Sequence, residues 1–319
     1  MRTMHRRDFL ATGLSCGAWT LAALAGATTS TRRLFAATPR GESVGAEPWG
    51  RLERIAEGVW SLISTPLAGS HASGAIRTFS NGGIVAGRDA VLAIEGFASV
   101  EGAAWLAGEA RRLTGRWPTH VVLTHYHGDH STGLAGYRAS GARVRILGTA
   151  ATRDLLQRKR PAAQLPETIV AEDRDTELDL GGRRVLITPR DGHTASDLSI
   201  EVADPRVVWC GDLVWIGLFP NFVDATPSRQ AAHVRKLAAE PAAVWVPGHG
   251  AAAGVAELRG YLALLESLEL AARDAAARGW PAAEAARRWR PPRALGEWVL
   301  FSDDYYEVAF RAWERELHT

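Results

Sequence analysis

The sequence predicts an α/β protein in which two mixed β-sheets pack face to face with helices on both outer sides. Three observations predict it. Of the 319 residues, 46% are apolar, enough to bury a full core and too many for a disordered chain. From Leu52 onward the chain runs first through short β-rich segments separated by Gly and Asn turns, and then alternates strands with helices. That succession occurs twice without a sequence-level repeat, which is the pattern of two sheets covered by helices.

The elements follow in order. Strands are expected at Val59 to Ser64, Ile76 to Ser80, Ile84 to Ala86 and Ala90 to Ile94. Val100 to Thr114 then takes on helical spacing, His120 to Thr124 reads as a buried strand, Leu134 to Ala139 as a short helix and Val144 to Leu147 as a strand. A second strand cluster covers Glu177 to Leu180, Arg184 to Thr188, Leu198 to Ala203 and Val207 to Cys210. Thr226 followed by Pro227 starts a helix running to about Ala239, ahead of the strand Val244 to Val246, because proline is pre-organised for the first helical position. The Ala- and Arg-rich remainder is helical, with breaks at Trp280-Pro281 and Pro291-Pro292. Its arginines, Arg287, Arg288, Arg290 and Arg293, read as a solvated helix face.

Charge and cysteine content narrow the function classes. With 37 Lys and Arg against 35 Asp and Glu, the chain is no nucleic-acid binder or polybasic membrane protein by composition. Two cysteines build neither a disulfide scaffold nor a four-thiolate zinc site.

The N-terminus reads as an address. Arg6-Arg7-Asp8-Phe9-Leu10, followed by a modestly apolar run to Ala27, resembles a twin-arginine export signal. Cleavage is expected between Ala27, in the small-residue run Ala25-Gly26-Ala27, and Ala37; without cleavage, about 19 apolar residues would just span a bilayer as an anchor. The expected plan is therefore a signal and linker over 1–37 and one domain over 50–319, delivered to the periplasm by the twin-arginine machinery with no stable membrane anchor. A cut at Ala27 removes Arg2, Arg6, Arg7 and Asp8 and leaves 34 basic against 34 acidic residues; a cut at Ala37 also removes Arg32 and Arg33. The exported domain is thus neutral to slightly acidic and retains one thiol, Cys210.

The chemistry is concentrated in Thr124-His125-Tyr126-His127-Gly128-Asp129-His130, directly after the apolar run Val121 to Leu123. A buried strand ends at a sheet edge, so these residues form a loop there. Imidazole and carboxylate are ligands that zinc accepts, and the alternation can aim His125 and His127 at one ion and Asp129 and His130 at a neighbour.

His-x-His-x-Asp-His after an apolar strand resembles the metallo-β-lactamase fold hydrolases, and three further motifs follow in that family's order: Gly192-His193-Thr194, Gly211-Asp212 and Pro247-Gly248-His249-Gly250. The resemblance covers roughly Leu52 to Tyr261. Ser196-Asp197-Leu198, Gly211-Asp212-Leu213-Val214 and the export signal look most like the periplasmic subgroup associated with sulfur-oxidation and quinoprotein-relay systems. The resemblance implies a four-layer αββα sandwich, one zinc on His125, His127 and His193, a second on Asp129, His130 and His249, and Asp212 bridging the two. It departs from the family at Glu95-Gly96, where most members carry Asp in an Asp-x-Gly turn that braces the metal loop.

The neighbours carry further expectations. Cys210 lies two residues before Asp212, so a regular strand would point both the same way; it is either a thiol approaching the metals or a buried inert one. Tyr126 either donates to a bound substrate or packs beside the loop, and Trp215, Phe219 and Phe222 either form an apolar pocket wall or belong to the core. His71, His120, His233 and His318 match no motif.

The expected activity is that of a dinuclear zinc hydrolase acting on a small-molecule ester, lactone, thioester or amide-type bond. Zinc lowers the pKa of a bridging water towards about 7, Asp129 would orient the resulting hydroxide, and the three-histidine zinc would stabilise the developing oxyanion. A β-lactamase shares the fold, but many carry Cys at the Asp212 position. An iron-dependent sulfur oxygenase would use the same histidines with one iron, and a non-catalytic periplasmic zinc-binding protein would hold metal without turnover.

Overall fold

The structure, a computed structural model, describes residues 40–47, 49–64, 77–158 and 164–318. The export-signal reading of residues 1–37, His71 and the first residue of the expected strand Ile76 to Ser80 lie outside that range. Among the described residues no helix is long and apolar enough to cross a membrane.

The first half builds an eight-stranded sheet in sequence order: β1 (Glu42–Glu47), β2 (Gly50–Ala56), β3 (Val59–Ile63), β4 (Gly82–Ala86), β5 (Val91–Ile94), β6 (His120–Val122), β7 (Arg145–Thr149) and β8 (Thr168–Val170). β1 to β5 pair antiparallel, whereas β5 to β8 pair parallel. The parallel strands need crossovers. Helix α1 (Val100–Thr114) supplies the first, capped by Ser99, whose Oγ accepts from Gly102 N at 3.1 Å, and closed by Gly115 in the left-handed conformation, the usual start and stop chemistry. The turn α2 (Gly128–Ser131) carries the metal-loop residues, a 3₁₀ turn follows at Leu134–Arg138, and α3 (Ala150–Gln157) leads towards β8.

The second half builds a five-stranded sheet, in spatial order β13-β12-β11-β10-β9, from β9 (Thr176–Asp179), β10 (Arg184–Pro189), β11 (Leu198–Ala203), β12 (Arg206–Ile216) and β13 (Val244–Gly250). β12 and β13 run parallel, joined by α4 (Pro227–Ala239). Helices α5 (Val255–Ala277), α6 (Ala282–Arg288) and α7 (Tyr305–Leu317) complete the chain.

Three buried clusters divide the molecule into four layers. Val85, Leu92, Ile94 and Val122 of the first sheet meet Val185, Ile187, Ile200 and Trp209 of the second. Leu106 and Ala110 of α1 cover the outer face of the first sheet with Ile84, Val121 and Ile146. Val234, Leu258, Tyr261, Leu265 and Trp313 cover the second. The sandwich of two mixed sheets between helices is therefore present.

Several expectations are corrected. The sheet begins before residue 50, the expected start of the domain: Glu42–Glu47 pairs antiparallel with β2. Residues 77–80 form no strand; Phe79 sits at φ 68°, incompatible with an extended chain. Three elements carried too little periodicity to be expected: α3, β8 and the α2 turn. β12 extends six residues beyond Cys210, because the register shift around Gly211 lets pairing with β13 resume at Trp215 and His249.

Candidate metal centre

The ligand candidates come from four strands or the loops that follow them, and a fifth strand supplies their neighbour Glu95. Thr124 to His130 follow β6, His193 follows β10, Asp212 lies in β12 past the shift at Gly211, and His249 lies in β13. Glu95 follows β5, the parallel neighbour of β6, and its backbone N donates to Val122 O at 2.9 Å.

The sequence brings seven candidates together in two adjoining groups. His125, His127, His193 and Asp212 form one, and Asp129, His130 and His249 the other, with one ligand atom from each residue lying within 4.8 Å of the others in its group. His193 Nε2 and His127 Nδ1 are 3.0 Å apart. Asp212 faces both groups with different oxygens: Oδ2 is 3.3 Å from His193 Nε2 and 3.9 Å from His125 Nε2, whereas Oδ1 is 3.1 Å from His130 Nε2 and 3.4 Å from His249 Nε2. Asp129 Oδ2 is 3.1 Å from His249 Nε2.

These residues fit metal ions on their own chemistry. The Nε2 atoms of His125, His130 and His249 and the Oδ1 of Asp212 are buried yet make no hydrogen bond of acceptable geometry, a costly state for polar atoms in a protein interior. Tetrahedral ligands at zinc distances lie roughly 3.3 Å apart, close to the separations observed. Among the described residues Cys210 belongs to neither group.

Charge divides the two groups. Burial holds His125 well below the usual imidazole range and His193 at about 3, so their rings are neutral and free to ligate. Burial also opposes charge on His130 and His249, but Asp212, joined by Glu95 and Asp129 for His130 and by Asp129 for His249, outweighs it. His130 is raised well above its ordinary value and His249 to about 9. The carboxylates respond in kind: burial pushes Asp129 and Asp212 up, yet the neighbouring imidazoles hold Asp129 at about 2 and Asp212 well below the carboxylate range.

The surrounding residues set the ligand orientations. Glu95, buried and at φ 83°, accepts from Thr124 Oγ1 at 2.5 Å and contacts His130 Nδ1 at 3.0 Å; its backbone O accepts from Tyr137. Thr124 Oγ1 also lies 3.0 Å from His125 Nδ1. Gly211, at φ 51°, would place a Cβ 2.7 Å from Thr124, and a Cβ on Gly248 would meet Asp212 Oδ1 at 1.9 Å, so both glycines are required by close approach. Asn81 ties the halves together, donating to Pro247 O at 3.0 Å and Gly250 O at 2.8 Å.

Other expectations fall differently. Cys210 packs in the helix-side core, with its thiol 3.6 Å from Val208 O and pushed up to about 12 by burial. The bulge at Gly211 breaks the alternation that would have aimed it with Asp212. Tyr126 gives its hydroxyl hydrogen bond to Asp224 Oδ2 and packs against the outer core cluster. Trp215 stacks on His249 at 4.2 Å and donates to Asp212 O at 3.1 Å, whereas Phe219 and Phe222 face each other and Phe219 meets Tyr306 and Trp289. They belong to the core, not to a pocket wall.

Asp224 was missed by sequence reading. Its Oδ2 sits 2.9 Å from His127 Nε2, the nitrogen facing away from His193, in the manner of a carboxylate that orients a metal-ligating imidazole. Those contacts, His127 first, hold its carboxyl at about 2. No motif flags it. His233, likewise unassigned, contacts Asp191 Oδ1 at 3.0 Å beside the His193 loop.

Two mixed sheets between helices carry this buried imidazole and carboxylate cluster, a candidate metal centre, at their edge. The sequence profile of the metallo-beta-lactamase superfamily matches residues 77–249, and the chain belongs to that superfamily. Similar curated proteins are a hydroxyacylglutathione hydrolase of Cereibacter sphaeroides, 31% identical over 125 residues (39% of this chain, 45% of that protein), and one of Cupriavidus taiwanensis, 35% identical over 131 residues (38% and 46%). The chain thus spans about half the length of the curated relatives it matches. Similar solved structures are a metallo-beta-lactamase from Pontibacter korlensis, with TM-score 0.57 and 22% identity over 68% of this chain and 99% of that one, and one from Erythrobacter litoralis, with TM-score 0.57 and 20% identity over 70% and 99%. At that identity they show the shared fold.

Proposed function

We infer that the protein is a periplasmic dinuclear zinc hydrolase that cleaves a small-molecule ester, lactone, thioester or amide-type bond. The observation that carries this reading is Asp212, whose two buried oxygens each face a separate group of ring nitrogens. His125, His127 and His193 would hold one zinc, Asp129, His130 and His249 the other, with Asp212 between. Zinc at such a site supplies a Lewis acid and lowers the pKa of bound water. Asp129 reaches the cluster with its Oδ2, where its carboxylate would accept a hydrogen bond from the attacking water or hydroxide and orient it. Glu95 and Asp224 hold the imidazoles, and the enclosing core limits the site's access to solvent. The likeness to hydroxyacylglutathione hydrolases favours a thioester within the bond classes named.

Metal analysis of protein matured in the periplasm, run beside a panel of thioesters, lactones and nitrocefin, tests the reading. Two zinc ions per chain with turnover of at least one substrate are expected; fewer than one zinc, or zinc with no turnover, would overturn it. Asp129→Ala should reduce turnover more than it lowers occupancy of the three-histidine zinc. Export is tested separately: replacing Arg6 and Arg7 with Lys should retain the protein in the cytoplasm, and an unchanged periplasmic yield would refute the twin-arginine route.

A further inference from the structure

Each ligand imidazole must be kept from turning. For three of them the non-ligating nitrogen has a partner: Thr124 for His125, Asp224 for His127 and Glu95 for His130. His193 Nδ1 is buried and has none, and the same holds for His249 Nδ1. Its ring is instead surrounded by aromatic faces and edges: Trp215 at 4.2 Å, Phe79 at 5.4 Å and Phe301 at 6.1 Å between centroids. The three also contact one another through Phe301, at 5.7 Å from Phe79 and 5.9 Å from Trp215.

Phe301 comes from the segment between α6 and α7, beyond the region that matches the superfamily profile. That segment is fastened beside the site. Phe219 N donates to Val299 O at 2.9 Å and Val299 N to Gly217 O at 3.1 Å, extending β12 just past Trp215. Phe79 is held at φ 68°, a conformation that bulky residues avoid unless their surroundings impose it. The tether thus lies at Val299, two residues before Phe301, and the rings of both Phe79 and Phe301 meet His249.

We propose that the C-terminal segment is a positioning element of the second metal site, in which Phe301, with Trp215 and Phe79, clamps the His249 ring by aromatic packing where His125, His127 and His130 use hydrogen bonds. The inference rests on the reading of His249 as a ligand. Aromatic pairs of this geometry are directional, so the clamp fixes ring rotation as well as excluding water.

Zinc titration of the metal-free full chain against a chromophoric chelator tests it, using Phe301→Ala and the volume-preserving Phe301→Leu, with His249→Ala marking which binding step His249 serves. Both Phe301 variants should weaken that step about 10–100-fold, as loss of a ligand-orienting partner does, and leave the other step within about threefold. Equal weakening of both steps, or no change in either variant, overturns the clamp. If Phe301→Leu alone restores tight binding, filling volume suffices and the aromatic clamp is wrong. If His249→Ala removes no binding step, the ligand reading of His249 fails instead. The clamp is then judged on crystal structures of metal-free Phe301→Leu and wild type, where an unturned His249 ring refutes it.

Discussion

The two ligand groups that meet at Asp212 use the same residue types and differ in how they are held. The three-histidine group contains two rings kept neutral by burial, His125 and His193, and its carboxylate brace, Asp224, is 44% exposed. The second group contains rings drawn towards the protonated form by carboxylates, and its brace, Glu95, is 1% exposed. A brace at the surface can be replaced in part by water, whereas one in the interior leaves a polar atom stranded when removed. The second group is therefore the more sensitive to its surroundings.

Removing the residue common to both should have the largest effect. Asp212→Ala is expected to abolish stoichiometric binding at the second group, weaken the first, and lower turnover at least about 1000-fold, the scale of about 4 kcal/mol. Zinc content and kcat/KM measured on the same preparation check it, and two tightly held zinc ions in that variant would break the shared-carboxylate picture. Gly248→Ala should approach the same result, because its methyl group would occupy the position of Asp212 Oδ1.

Next come the braces. Glu95→Gln should weaken zinc binding at the second group about 10–100-fold, and Asp224→Asn should weaken it at the first nearer tenfold; chelator competition reads both. The reverse order would mean that exposure does not set the worth of a brace here.

Proton linkage sharpens the same contrast with a smaller effect. His249 titrates at about 9 in the metal-free fold, so zinc entering the second group at pH 7 must displace at least one proton, while zinc entering beside His125 and His193 displaces none from those rings. Calorimetry in buffers of different ionisation enthalpy measures the difference. Without metal, the raised His249 value contributes stability that is fully present below about pH 6.5 and is lost as pH rises through about 9. Thermal melts of the stripped protein across that window should therefore fall with rising pH.

The smallest effect expected is at Cys210. With its thiol pushed up to about 12, it should resist iodoacetamide at pH 8 in the native Cys16→Ser chain and react fully in denaturant. Rapid native labelling would place it nearer the solvent than the helix-side core.

Much of the fold and most of the site were legible without coordinates, for identifiable reasons. α1 could be read to the residue because Ser99 and Gly115 mark its ends, and α4 because Pro227 marks its start. The run from His125 to His130 could be read from its own density of ligand residue types, and His193, Asp212 and His249 because their motifs resemble those of a known family in the right order. Glu95 stood out as a departure from an Asp-x-Gly turn. Asp224, Asn81 and Phe301 could not be found this way, since each acts on a residue 97, 166 or 52 positions away and none belongs to a local pattern. The direction of Cys210 was misleading for the opposite reason: local alternation was clear, and a bulge overrode it.

The sequence by itself determined the layers, most of the strands and the family motifs that imply the candidate ligands, because periodicity, turn chemistry and motif order are properties written along the chain. Only the tertiary structure decided which oxygen of Asp212 faces which group, which imidazoles are braced by hydrogen bonds and which by aromatic rings, and which are driven to hold protons. Those depend on burial and on charges brought together from distant strand ends, and a buried electrostatic interaction has no value until the chain has closed around it.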